Sequence, residues 1–137
     1  MLVICNSISG KDLPDNARVM GETDETTFSP LSIGEQYKVY GVMFYASRTD
    51  VLLSPEGIDP LWVPSNLFTV IDDALPADWG CVFTEKKEGY IDLYETFGIN
   101  AICGYLELIR SYKHYIGILE GEAVELQKFH VYKNNLY

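Results

Sequence analysis

Apolar and polar positions alternate along most of the first 83 residues, and a helical spacing takes over in the last third of the chain. "MLVICNSIS" is a β-branched apolar run closed by Asn and Ser, which predicts an opening strand. In "LSIGEQYKVYGVMFY" Tyr37, Val39 and Gly41 alternate with Lys38, Tyr40 and Val42, the clearest strand pattern in the chain. Gly41 inside it predicts a bulge or sharp bend. "ASRTD" reads as a hairpin connection and "VLLSP" as the returning strand. "LWV" is a short strand stopped at Pro64, because proline cannot donate to a ladder. "PSNLF" fits one helical turn capped by Ser65, "TVID" fits another strand, and "DWGCVF" resumes extended structure. Gly10 to Pro30 is polar with only isolated apolar residues and predicts a long surface loop.

Beyond Phe83, "EKKEGY" reads as a charged turn. From Asn100 the residues Ile102, Tyr105, Leu106, Ile109 and Tyr112 recur at helical spacing, predicting a helix with Asn100 as its cap and Glu107–Arg110 as a same-face pair. Gly104 is its weak point, at about 1 kcal/mol relative to alanine. "EGEAVELQKF" predicts a second helix near Glu120, with acids in its first turn and a less regular apolar set of Val124, Phe129 and Val131. The expectation is one α+β domain over residues 1–137. Residues 1–85 form its β-rich part, a small SH3-like barrel or strongly bent antiparallel sheet over about 1–83 with the loop 10–30. Residues 86–137 are mainly helical, with one or two helices.

Charge changes this picture more than composition does. Twenty acids face ten Lys and Arg, for a net charge of -10. Asp50, Glu56, Asp59, Asp72, Asp73, Asp78 and Glu85 fall in the stretch 49–85, which contains no Lys or Arg and carries -7 of that total. Such a balance argues against nucleic acid and anionic membranes as partners and favours a basic protein, which it would attract and steer. Glu22, Asp24 and Glu25 in the loop 10–30 join the same set of candidate partner-binding acids. Trp62, Tyr45 and Trp79 are aromatic neighbours that could anchor a contact, although a small β domain also needs bulky residues in its core.

Candidate chemistry is sparse. Cys5, Cys81 and Cys103 are odd in number and lack C-x-x-C spacing, which predicts neither a disulfide framework nor a structural zinc site. They read as the reduced thiols of a cytoplasmic protein. "LVIC" is too short for a signal peptide or a membrane span. His114 and His130 are each flanked by aromatics and read as core or solvated histidines. Cys103 has no identifiable base. Metal-ligand and phosphate-loop patterns are missing, so the sequence predicts no enzyme, cofactor, metal or catalytic residue.

Two stretches carry a resemblance. "MLVICNSISGKDLP", followed by "LSIGEQYKVYGVMFY" and "PLWVPSNLFTVIDDALPADW", resembles a group of small bacterial proteins with an opening strand ending in Cys-x-Ser/Asn, then Gly-Lys-Asp-Leu-Pro. The likeness continues through a Gly-x-x-Tyr-x-Val-Tyr-Gly strand and a Trp-x-Pro-x-x-Leu-Phe-x-x-x-Asp segment, and covers roughly residues 1–83. It implies a small SH3-like or bent-sheet β domain and supplies no catalytic positions. Some members accompany secreted polymorphic toxins. The resemblance therefore implies an immunity protein, for example of contact-dependent growth inhibition, whose partner is a cognate toxin, expected to be a basic nuclease-type effector. The alternative is a non-catalytic interaction or regulatory module docking a protein of the same cell. A small carboxylate enzyme is the third reading.

Overall fold

A computed structural model describes residues 1–136. Its strands are β1 (Leu2–Cys5), β2 (Gln36–Lys38), β3 (Gly41–Tyr45), β4 (Thr49–Leu53), β5 (Leu61–Pro64), β6 (Phe68–Asp72), β7 (Gly80–Phe83) and β8 (Ile99–Gly104). Its helices are α1 (Ile91–Phe97), α2 (Leu106–Arg110), α3 (Tyr112–Glu120) and α4 (Ala123–Leu136). The chain is α+β. It has two antiparallel sheets, ordered β2-β1-β6 and β5-β4-β3-β8-β7, and no closed barrel is found among the described residues: each sheet ends in two edge strands.

The predicted single strand through Gly41 is two strands in different sheets. Val39 and Tyr40, both buried, carry the chain from β2 in the small sheet to β3 in the large one. The bend needs glycine for space. A Cβ at Gly41 would lie 2.9 Å from Leu108 Cδ2 and 3.0 Å from Trp62 Cη2. One core gathers Val3, Leu13, Leu31, Val51, Val63 and Leu67 beneath the small sheet, and a second gathers Tyr40, Met43, Leu52, Ile102, Leu108, Ile118 and Phe129 beneath the helices. Trp62 and Trp79 pack against these cores, so their rings are mainly scaffold.

The helix expected from Asn100 is corrected. Residues 99–104 form β8, the strand between β3 and β7, and helix resumes only at Leu106. The stretch "INAICG" is ambiguous because a short, mainly apolar run serves a buried strand as well as a helix. Ile99, Ala101, Ile102 and Gly104 are all buried, as a central strand requires. Gly104 fits this setting, since a Cβ there would lie 2.7 Å from Leu108 Cδ2. The described residues hold four helices rather than one or two, and nothing in the sequence pattern predicts α1.

The expectation of three reduced thiols is also corrected. Cys81 of β7 and Cys103 of β8 are directly opposite in the ladder and form a disulfide, with their Cα atoms 4.1 Å apart. Pairing register brings them together, which a spacing of 22 residues does not advertise. Only Cys5, buried, is free. Closing a loop of this length stabilises by roughly 3 kcal/mol on the chain-entropy account. Thiol titration in denaturant should therefore find one reactive cysteine before reduction and three after, with the urea midpoint lower in the reduced protein. Three thiols in protein purified without reductant would contradict the bond.

Candidate functional site

The long loop is held down rather than loose. Its backbone makes one-turn 3-10 segments at Gly10–Asp12 and Asp15–Ala17, and Leu13, Ala17 and Leu31 are buried. Arg48, at the turn of the β3–β4 hairpin, reaches into it. Its Nε and Nη2 donate to the two oxygens of Asp50 at 2.7 and 3.1 Å, and Nη1 donates to Glu22 Oε2 at 2.7 Å and to the Ala17 carbonyl at 3.1 Å. The side chains of Arg48, Glu22 and Asp50 are 3%, 8% and 4% exposed. Burial raises the Asp50 carboxyl above its ordinary range against the pull of Arg48. For Glu22 burial acts the same way, but the Arg48 contacts prevail and hold it low. Tyr45, under the guanidinium at 5.3 Å, is pushed up to about 12 by burial and by Asp50.

Two of the ten candidate partner-binding acids are thus internal: Asp50 and Glu22 neutralise Arg48. The other eight, Asp24, Glu25, Glu56, Asp59, Asp72, Asp73, Asp78 and Glu85, are exposed, and Asp24 pairs with Arg18 at 2.7 Å. Four of them lie between the end of β6 and the turn after β7, together with exposed Val70, Ile71, Leu75 and Phe83. The loop joining these strands is anchored at both ends. Asp72 Oδ1 accepts from the Ala74 amide, the N-terminal ammonium donates to the Ala74 carbonyl, and Trp79 Nε1 donates to the Tyr132 hydroxyl at 2.8 Å. A fixed loop loses little entropy on binding. The exposed apolar residues here carried no signal in the sequence, because period-2 patterning does not say which face of an edge strand stays uncovered.

A second cluster lies under α3 and α4. His114 is fully buried, with Nδ1 3.1 Å from Glu125 Oε1 and Nε2 2.7 Å from the Tyr105 hydroxyl. A carboxylate can only accept, so Nδ1 carries the proton and Nε2 accepts from Tyr105. Lys128 Nζ is 3.2 Å from Glu125 Oε1 and 3.5 Å from Glu107 Oε1, in place of the expected Glu107–Arg110 pair. The helices approach closely at Gly117, where a Cβ would sit 2.7 Å from Glu125 Cβ. Burial pulls His114 below its ordinary value despite Glu125, so the ring is neutral at pH 7. Burial opposes ionisation of Glu125, yet Lys128 and His114 together hold it low. Of the two readings of His114 as a core or a solvated histidine, the fold takes the first, but the sequence could not find Glu125 or Glu107, which the α3–α4 hairpin and α2 deliver from separate turns.

A pH dependence follows. A histidine with a depressed folded pKa contributes stability that is fully present above 6.5, its unfolded value, and is lost as pH falls toward the folded one. Glu125 adds a second loss below about 4.5. Melting temperature, measured with chelator present, should be flat from pH 8 to 7 and fall on going to pH 5.5, with a smaller slope in His114→Gln. Equal slopes in both proteins would remove His114 as the cause.

No family model, curated protein or solved structure matches the chain. Among the described residues no helix is long and apolar enough to cross a membrane.

Proposed function

We propose that the chain is a non-enzymatic binding protein that neutralises a basic protein partner, an immunity protein for a cognate nuclease-type toxin acting in the cytoplasm. The observation that supports this reading most is the composition of the surface from Val70 to Glu85. Exposed Val70, Ile71, Leu75 and Phe83 are interspersed along this stretch with exposed Asp72, Asp73, Asp78 and Glu85. Apolar residues supply area to be buried, and the acids give orientation and a fast encounter with a positively charged cleft. Phe83, at 76% exposure, is an unusual side chain to leave in water on an edge strand. The excess of acids over bases in 49–85 survives the internal Asp50, since six exposed carboxylates remain there without a Lys or Arg.

Co-expression with the product of the neighbouring upstream reading frame tests the reading. Rescue of growth with a stoichiometric complex supports it, and no toxicity with no complex removes it. In the complex, Asp72→Lys, Asp73→Lys and Asp78→Lys together should lower the association rate about tenfold or more at low salt, because steering scales with surface charge. The fold should be unaffected, as these residues are exposed. An unchanged rate would move the interface to another surface.

A further inference from the structure

The cluster beneath α3 and α4 is not used by that reading. We propose that Glu107, His114 and Glu125 form a binding site for a divalent transition ion of the zinc class, with Lys128 as a built-in competing cation.

Three observations carry the site. The three side chains each offer a ligand atom, all within 4.8 Å of one another, so modest closure brings them around one ion. Their chemistry is one imidazole and two carboxylates, a donor set that suits zinc and its first-row neighbours better than magnesium or calcium. Finally, the buried carboxylate of Glu125 is only half used. His114 and Lys128 both bond Oε1, while Oε2 is buried with no partner. A buried acceptor without a donor is costly, and native interiors rarely leave one. A metal bound to this carboxylate can engage both oxygens.

Charge points the same way. Two carboxylates, one ammonium and a neutral imidazole leave the cluster with one net negative charge. Lys128 satisfies it incompletely, at 3.2 and 3.5 Å, and its side chain is half exposed on a flexible stem that can swing into water. Glu107 and Lys128 also line the groove between α2 and α4, beside Leu106, Val124 and Tyr132, so an ion enters where Lys128 leaves.

The proton accounting closes without ionising the ring. In the metal-free form Nδ1 holds the hydrogen and Nε2 accepts from Tyr105. With the ion on Nδ1, the hydrogen resides on Nε2 and the Tyr105 hydroxyl accepts it. Histidine is neutral in both states, and Tyr105 becomes the outer partner that fixes the liganding tautomer.

Calorimetric titration of the full chain with Zn²⁺ at pH 7.5, after chelator treatment, tests the site. The expected result is one ion per chain, about tenfold or tighter binding in Lys128→Met, where the competing charge is gone, and binding at least about tenfold weaker in Glu107→Gln and His114→Gln. Nitrogen NMR of His114 should show the proton moving from Nδ1 to Nε2 on zinc addition. Glu107 is half exposed, so Glu107→Gln keeps the test decisive if the buried His114→Gln does not fold. No binding to either the natural chain or folded Lys128→Met overturns the proposal. So does zinc affinity that is unchanged in Glu107→Gln with an unmoved His114 signal, which would place the ion on other surface acids.

Discussion

Arg48→Met is expected to remove about 3–5 kcal/mol of folding stability, seen as a lower urea midpoint with an unchanged slope. Among the described residues the guanidinium is the only cation paired with Asp50 and Glu22, both nearly sealed from water. Truncation leaves two buried carboxylates facing each other across the vacated space. It also frees the Ala17 carbonyl and loosens the loop 10–30 from the β3–β4 hairpin. A domain of this size has about 5–15 kcal/mol in total, so the variant would be close to unfolding at 37 °C. Arg18→Met is the matched control. Its pair with Asp24 is 2.7 Å long, but Asp24 is 58% exposed, and exposed pairs contribute about 1 kcal/mol or less. Similar losses in the two variants would mean that burial of the Arg48 network does not govern its energetics. Replacing Arg48, Asp50 and Glu22 together by apolar residues should recover much of the loss, because the penalty lies in unpaired charge rather than in a missing attraction.

That network also marks where sequence reading stops. The absence of Lys and Arg from 49–85 made every acid there a surface candidate, and Arg48 stands one residue outside the window. Linear charge counting cannot see that a hairpin turn folds Arg48 back onto Asp50, two residues away, and onto Glu22 from a distant loop. Local signals fared better. The opening strand, the β3–β4 hairpin, the single turn at Ser65–Leu67 and the strand after it all follow from β-branched runs and Pro or Gly punctuation. These depend on neighbours in the chain. β8 and the Cys81–Cys103 bond depend on pairing register between distant segments, which a periodicity does not encode. The eight acids that are exposed were legible as charge, but the apolar residues set among them were not, since a buried and a bare edge-strand face share one pattern.

The same limit explains α4, and it yields the second large effect. Val124, Phe129 and Val131 look like three poorly spaced members of one apolar set. The structure separates them: Phe129 is fully buried, whereas Val124 and Val131 are 57% and 56% exposed. Positions 125, 126, 129 and 132 form the inward stripe, in which Glu125 and Tyr132 are polar or amphipathic and Leu126 is only half-buried. Among the described residues, Phe129 is therefore the one fully buried apolar side chain of that stripe. Its ring meets Tyr40 edge-on at 5.3 Å and lies 6.3 Å from Tyr105, bridging the crossover between the sheets and the start of α2. Phe129→Ala should cost about 3–5 kcal/mol, the sum of lost burial and the cavity left beside the rings of Tyr40 and Tyr105. Val131→Ala should stay within about 0.5 kcal/mol. Because Glu125 sits one turn earlier on the same face, loss of Phe129 should also loosen the contact with His114, and the stability slope between pH 7 and 5.5 should shrink in Phe129→Ala. A full-strength pH slope in a strongly destabilised Phe129→Ala would show that Gly117 and Lys128 hold the Glu125 end of α4 without help from the aromatic core.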